Sequence, residues 1–531
     1  MSEMPTRRAL LGAGIALAGT AGLASRAVAA SPAVAPPVPA SPSRAPSPAR
    51  AADQYVTPDG PEVVDAENRR GAGPLRKVSL TAAASRLDLG GGLTVPTWAY
   101  GDRLPGEAIR ITAGDTLELA LANHLTQSTT MHWHGLSIRN DMDGVPALTQ
   151  QPVKAGAEFT YRFAVTHPGT HWIHPHSGVQ LDRGLYAPLI VEDPKEPLAY
   201  DKEWVVVLDD WLDGVDGSTP DAVLDELTKG RGSAHDAAGH DSARAGRAEG
   251  PSRLLEGARS DLLGGHAGDV AYPHYLVNGR RGEDPSVFEA RPGDRIRLRV
   301  INAGGDTAFR LALGGHRMTV THTDGFPVRH TETDALLLGM GERYDVLVTA
   351  GDGVFPLTAL AEGKGASALA VLRTGTGALP PASVRPAELD GELVTPDRLA
   401  PDESVALAER EPDRTVRITL TGSMAAYDWG FDGKSYDPAG RSPVRAGERV
   451  RLVFTNRTAM WHPLHLHGHT FALAGTGQGA GLGARKDTAA ILPGRTLTVD
   501  FDADNPGLWM LHCHNVYHAE AGMMTVLGYL R

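Results

Sequence analysis

Three stretches of the chain repeat one pattern of alternating apolar and polar positions: 113–123, 292–302 and 446–456. In each, a Gly followed by an acid opens the stretch, and an Asn stands nine residues after the Gly. Between them every second residue is apolar: Leu117, Leu119 and Leu121, then Ile296, Leu298 and Val300, then Val450, Leu452 and Phe454. The Gly-acid pair reads as a turn and the period-two alternation as a half-buried strand. The chain is therefore predicted to carry three copies of one β-domain. Short strands and Gly-rich turns throughout favour sandwiches over helical or α/β folds.

Length agrees with that count, since 531 residues at about 150 per domain suggest three or four domains. With 41% hydrophobic and 21% charged residues, the bulk of the chain reads as globular, neither disordered nor membrane-embedded. The net charge of −12 supplies no electrostatic footprint for nucleic acid and no polybasic face for anionic lipid. At the N-terminus, Arg7-Arg8, an apolar run from Ala9 to Leu23 and the small residues Ala27-Val28-Ala29 resemble a twin-arginine signal over residues 1–30. A Pro-, Ala- and Ser-rich linker, 31–52, follows it. This predicts export to a periplasmic, cell-surface or extracellular location, with no stable membrane insertion once the signal is cleaved.

The repeat also carries chemistry. Nine residues after each Asn come His132-Trp133-His134, Leu311-Ala312-Leu313 and His465-Leu466-His467. A later segment recurs in the first and third copies only. Gly156, Gly169 and His174-Pro175-His176 match Gly494, Gly507 and His512-Cys513-His514, with offsets of 13 and 18 from the first Gly. In a strand, residues i and i+2 share a face, so each His-x-His pair presents two imidazoles side by side. Eight converging imidazoles are too many for one ion but suit a cluster of Cu, Zn, Fe or Ni shared between the first and third copies.

Cys513, the chain's single cysteine, lies between His512 and His514, so its sulfur points away from the two imidazoles and toward a different metal. His462, three residues before His465, and His518 and Met523, five and ten after Cys513, complete that metal's ligand set. Two His, a thiolate and a weak axial Met form a blue-copper electron-transfer site. One strand then links the two metal centres through covalent bonds.

These motifs resemble those of three-domain multicopper oxidases of the laccase and copper-efflux type, over residues 55–531. The resemblance implies an all-β chain of three cupredoxin-like Greek-key sandwiches: 53–198, 199–380 with a loop insertion at 213–269, and 381–531. It implies four copper ions. His462, Cys513, His518 and Met523 would hold the type 1 copper, and His132 and His465 the type 2. His134, His174 and His514 would hold one type 3 copper, and His176, His467 and His512 the other. The implied chemistry is one-electron oxidation of a reducing substrate, four times over, with O₂ reduced to two waters.

That reduction consumes protons, and Asp143, nine residues after His134, resembles the relay acid of relatives. A second acid often follows the last type 1 histidine in relatives, but Ala519 stands there and Glu520 comes one later. His171 and His469 read as packing or supporting residues, and Trp133 and Trp172 as core. The insertion, with His235, His240 and His266, reads as a surface loop with a short helix near 221–227. Two substrate classes remain: phenols or aryl amines, and Cu(I) or Fe(II). The segment from His176 to Leu189 resembles copper-resistance oxidases, whereas the insertion lacks the Met-rich character of metal-oxidising relatives. A non-enzymatic copper carrier would be expected to lack a cluster ligand, and none is missing.

Overall fold

The computed structural model describes residues 54–229, 250–475 and 481–531. The expected signal and linker, and His235 and His240 of the insertion, lie outside the described residues. Strands dominate, and they form three pairs of large sheets, one pair around each repeated segment. Thr116–Asn123 lies between Leu75–Asp88, its parallel neighbour, and Glu158–Ala164, its antiparallel one. Arg295–Asn302 sits likewise between Lys202–Trp211 and Arg343–Thr349, and Arg449–Asn456 between Arg414–Thr421 and Thr496–Asp502. Two parallel strands cannot be joined by a tight hairpin. In each copy the chain crosses to the opposite sheet before returning, through Ile109–Thr112, Ser286–Glu289 or Arg441–Val444. The result is three cupredoxin-type sandwiches.

The repeated Asn has the same task in all three. Its amide N–H donates to two carbonyls across the next loop: Gln127 and Val153 for Asn123, Thr307 and Leu338 for Asn302, Met460 and Ile491 for Asn456. Its side-chain oxygen accepts the N–H two residues on, from Leu125, Gly304 or Thr458. Each Asn is buried, so these bonds satisfy groups that could not reach water. They also pin the loop that delivers the chain to the strand nine residues later.

The first and third sandwiches are joined close to that strand. Asn140 accepts from the Leu508 amide at 2.8 Å and donates to the Leu508 carbonyl at 2.7 Å, and Asn505 donates to the Ile138 carbonyl. A Cβ on Gly507 would lie 2.5 Å from the Asn140 side chain, and one on Gly169 2.5 Å from Gly325 of the second sandwich. The second glycine of the later repeated segment therefore stands, in both copies, where two sandwiches touch. The helix expected near 221–227 spans Pro220–Lys229. Among the described residues no helix is long and apolar enough to cross a membrane.

Candidate metal centre

The four His-x-His pairs meet where the first and third sandwiches face each other. His132 lies opposite His174 in one sheet, and His465 opposite His512 in another. Only His132–His134 lies wholly within a strand; His176, His467 and His514 each stand just beyond the end of theirs. The shared face predicted from strand periodicity is therefore continued by strand ends, three of the second histidines leaving the ladder as they enter the space between sandwiches. All eight imidazoles converge. The Nε2 atoms of His132 and His465 are 3.4 Å apart, and those of His467 and His512 3.1 Å. His176 joins the latter pair, its ligand atom within 4.8 Å of theirs. The rings of His134, His174 and His514 lie 4.9, 5.3 and 5.8 Å from one another.

Most of these rings are held by one nitrogen and leave the other toward the shared space. The Nδ1 atoms of His174, His465 and His512 lie within hydrogen-bond distance of the carbonyls of Pro175, Asp487 and Cys513. Asp143 bridges two sandwiches, with Oδ1 3.1 Å from His132 Nδ1 and Oδ2 2.9 Å from His467 Nδ1. His134 is held at Nε2, 3.0 Å from Asp487 Oδ1. Buried atoms without a hydrogen-bond partner include His134 Nδ1, His174 Nε2, His176 Nε2 and both nitrogens of His514. Burial, followed by the neighbouring imidazoles, pushes His174, His176, His467, His512 and His514 well below the usual range. Neutral imidazoles with free lone pairs are the metal-binding form.

The second centre is separate. Cys513 Sγ lies 3.6 Å from His462 Nδ1 and 3.7 Å from His518 Nδ1, and the two Nδ1 atoms are 3.1 Å apart. Asn515 caps the short helix Val516–Glu520, accepting from the amides of Tyr517 and His518, and so turns His518 back over Cys513. Thr458, from the loop that Asn456 pins, lies 2.8 Å from His462 Nε2. Cys513 donates its amide to the Met523 carbonyl at 3.1 Å, which brings Met523 beside it. Met523 is fully buried whereas Met524 is partly exposed. Trp429 walls the site, its ring 4.5 Å from that of His518 and 5.4 Å from that of His462.

Sequence reasoning missed the second sandwich's part in both centres. Asp269, at the end of the stretch read as a surface insertion, lies 2.8 Å from His518 Nε2 and accepts from Tyr427. Burial alone would lower His518, but the Asp269 carboxylate outweighs it and lifts the group to about 10. Arg343 forks onto Asp487 at 2.7 and 2.6 Å; burial opposes the carboxylate's charge, but Arg343 and His134 outweigh it and hold Asp487 well below the usual range. A lone Asp in a bend, as Asp269 and Asp487 are, or a lone Arg opening a strand, as Arg343 is, carries no spacing signal, so nothing in the sequence marked them. His171 is buried and packs against Gly135 and Gly325, where an added Cβ would lie 2.8 and 3.0 Å from its ring, and His469 is held between the His467 carbonyl and the Tyr529 hydroxyl. Trp133 and Trp172 are core. Glu520 has Asp221 as its charged neighbour; burial and then that acid lift it to about 7.

Comparison with known proteins gives a consistent picture. Three family models, each described as multicopper oxidase, match residues 82–196, 257–377 and 409–529. The multicopper oxidase MmcO of Mycobacterium tuberculosis is 48% identical over 452 residues, covering 85% of this chain and 86% of that protein. A copper resistance protein A homolog of Pseudomonas syringae is 28% identical, over 79% of this chain and 87% of that one. The crystal structure of a laccase from Botrytis aclada superposes with a TM-score of 0.70 at 25% identity, covering 86% of this chain and 88% of that one.

Proposed function

This chain belongs to the multicopper oxidase family and is a copper-dependent oxidoreductase with O₂ as acceptor; from that premise we propose how its residues divide the work. The observation that carries the reading is the group of buried imidazole nitrogens at the junction of the first and third sandwiches with no hydrogen-bond partner. A buried polar atom left unpaired is expensive, and a coordinate bond is what satisfies such a lone pair. The residues therefore fit copper. We assign His462, Cys513, His518 and Met523 to a type 1 copper, and His132 and His465 to a type 2. His134, His174 and His514 take one type 3 copper and His176, His467 and His512 the other, four in all.

Bound copper supplies one-electron redox chemistry at the first site and a place for O₂ at the cluster. The protein does the rest. Asp143 aims His132 and His467 by their Nδ1–H groups and stands beside the cluster as a carboxylate able to relay the protons that water formation consumes. Asp269 holds His518 by Nε2, which leaves Nδ1 facing Cys513. His512, Cys513 and His514 are consecutive, so one tripeptide touches both centres.

For the reducing substrate we propose phenols and aryl amines, supported by the similarity to laccases. A second reading, Cu(I) or Fe(II), is favoured by one observation: His518 and Asp269 are both fully covered, which keeps an aromatic ring from the imidazole edge. Export through the Arg7-Arg8 signal is proposed on the sequence alone. Oxygen uptake by the copper-loaded protein, measured side by side with a dimethoxyphenol, an aryl amine, Cu(I) and Fe(II), decides between the substrate classes. Faster uptake with the metal ions would reverse the preference. A copper content near one in fully loaded protein would overturn the four-copper assignment.

A further inference from the structure

One chain of charged bonds runs from the second sandwich to the histidine cluster. Arg343, which opens the strand Arg343–Thr349, donates to both Asp487 oxygens at 2.7 and 2.6 Å. Its guanidinium is fixed from behind by the carbonyls of Thr170 and Gly341, at 3.1 and 3.0 Å. Asp487 Oδ1 in turn lies 3.0 Å from His134 Nε2, with the Thr488 hydroxyl 2.8 Å from the same oxygen. Arg343, Asp487 and His134 are all fully buried, and each comes from a different sandwich.

The arrangement around His134 is inverted relative to its neighbours. His132, His174, His465, His467 and His512 are all held at Nδ1, whereas His134 is held at Nε2 and leaves Nδ1 unpartnered. A carboxylate only accepts, so a neutral His134 facing Asp487 must carry its proton on Nε2 and present the lone pair of Nδ1. The direction of that carboxylate is set by the two-pronged guanidinium, a geometry that a single-point cation does not reproduce. We propose that Arg343 and Asp487 form a positioning pair that holds His134 in its Nε2–H tautomer and commits it to ligation through Nδ1. The middle sandwich, without a ligand of its own, thereby sets which nitrogen of one ligand reaches the metal. This rests on the reading of His134 as a copper ligand.

The test begins with copper-free protein carrying ¹⁵N-labelled histidine, the His134 resonances being identified by their loss in His134→Gln. Wild-type protein should show the Nε2–H pattern, and Asp487→Ala should shift His134 toward Nδ1–H. Copper retention against a chelator is then measured on loaded protein. Asp487→Ala and Arg343→Ala should each lose cluster copper about 10–100-fold more readily, with the blue band unchanged. Because Arg343 acts through Asp487, the double variant should be no worse than the more severe single one. If Arg343→Ala does not fold, Arg343→Lys, which keeps the buried cation without the fork, should still lose copper faster than wild type. An unchanged His134 tautomer in Asp487→Ala, additive losses in the double variant, or wild-type retention in Arg343→Lys each overturns the proposal. Wild-type protein that never loads four coppers would instead overturn the four-copper reading beneath it.

Discussion

The second sandwich and its two neighbours place different side chains on the same strand. Leu311 and Leu313 follow Asn302 at the spacing with which His132 and His134 follow Asn123, and His465 and His467 follow Asn456. The same Asn-bridged loop delivers each strand, and all six side chains are buried. Depth therefore does not distinguish them; their surroundings do. The leucines close a hydrophobic core, whereas the histidines sit at a junction of sandwiches facing other imidazoles, His132 against His465 and His467 against His512, with His134 Nδ1 left unpaired. The scaffold tolerates either because its loop is held by backbone carbonyls and the Asn amide, none of which depends on what the strand carries. Freed of ligands, the second sandwich contributes charge instead, Arg343 toward the cluster and Asp269 toward His518.

The largest expected effect tests whether the third sandwich holds a second, distinct centre. Cys513→Ser removes the thiolate, so the blue absorption and substrate oxidation should vanish while the copper content falls from four to three; loss of the cluster coppers as well would show that the two centres are not separable. Next in size, Asp143→Asn leaves the shape of the bridge between His132 and His467 but takes away its charge. Reoxidation of reduced protein by O₂ should slow by about 10²-fold or more, with anaerobic bleaching of the blue band nearly unchanged. Slow bleaching with normal reoxidation would move Asp143 out of the cluster's chemistry.

The comparison itself can be attacked by writing His into the second sandwich. Leu311→His with Leu313→His should bind no additional copper, since the strands beside them, Ala335–Leu338 and Val354–Ala361, carry no histidine, and should destabilise the chain by roughly 2 kcal/mol or more for each unpaired imidazole. A fifth copper in that variant would break the distinction drawn above. Met523→Leu removes a buried thioether at similar volume, at a packing cost below about 1.5 kcal/mol. Redox titration should find a higher potential for the blue site, and an unchanged or lower one would transfer the axial position to Met524. The smallest effect concerns His171, a histidine of the first sandwich that is not a ligand. Burial, followed by Arg343, lowers it to about 3, so the native state refuses a proton that the unfolded chain accepts below its usual range. Stability is thus lost as pH falls from about 6.5 toward 3, and His171→Phe should gain on wild type by about 2 kcal/mol between pH 7 and pH 5 in copper-free urea melts. Parallel acid limbs would show that His171 is not a source of acid sensitivity.

Much of this molecule could be read from one dimension. Alternation between Gly114 and Asn123, and its two echoes, announced three β-domains because a strand's side-chain period is local and repeats survive as spacing. The His-x-His pairs, Cys513 and their neighbours were legible for the same reason: each set lies within a few residues, so sequence distance stands in for direction. What the sequence could not carry was the meeting of distant segments. Asp487 lies 353 positions from His134, and Asp269 249 positions from His518, and each pairing depends on how the sandwiches dock. A buried carboxylate at such a contact is selected by the field and the hydrogen bonds of groups far along the chain, and an isolated Asp in a bend looks like any other polar residue. The order of ligand residues was thus determined locally, and so was the nitrogen by which His174 and His512 are held, each against the next residue's carbonyl, while for His134 and His518 that choice was decided only when the sandwiches closed around them.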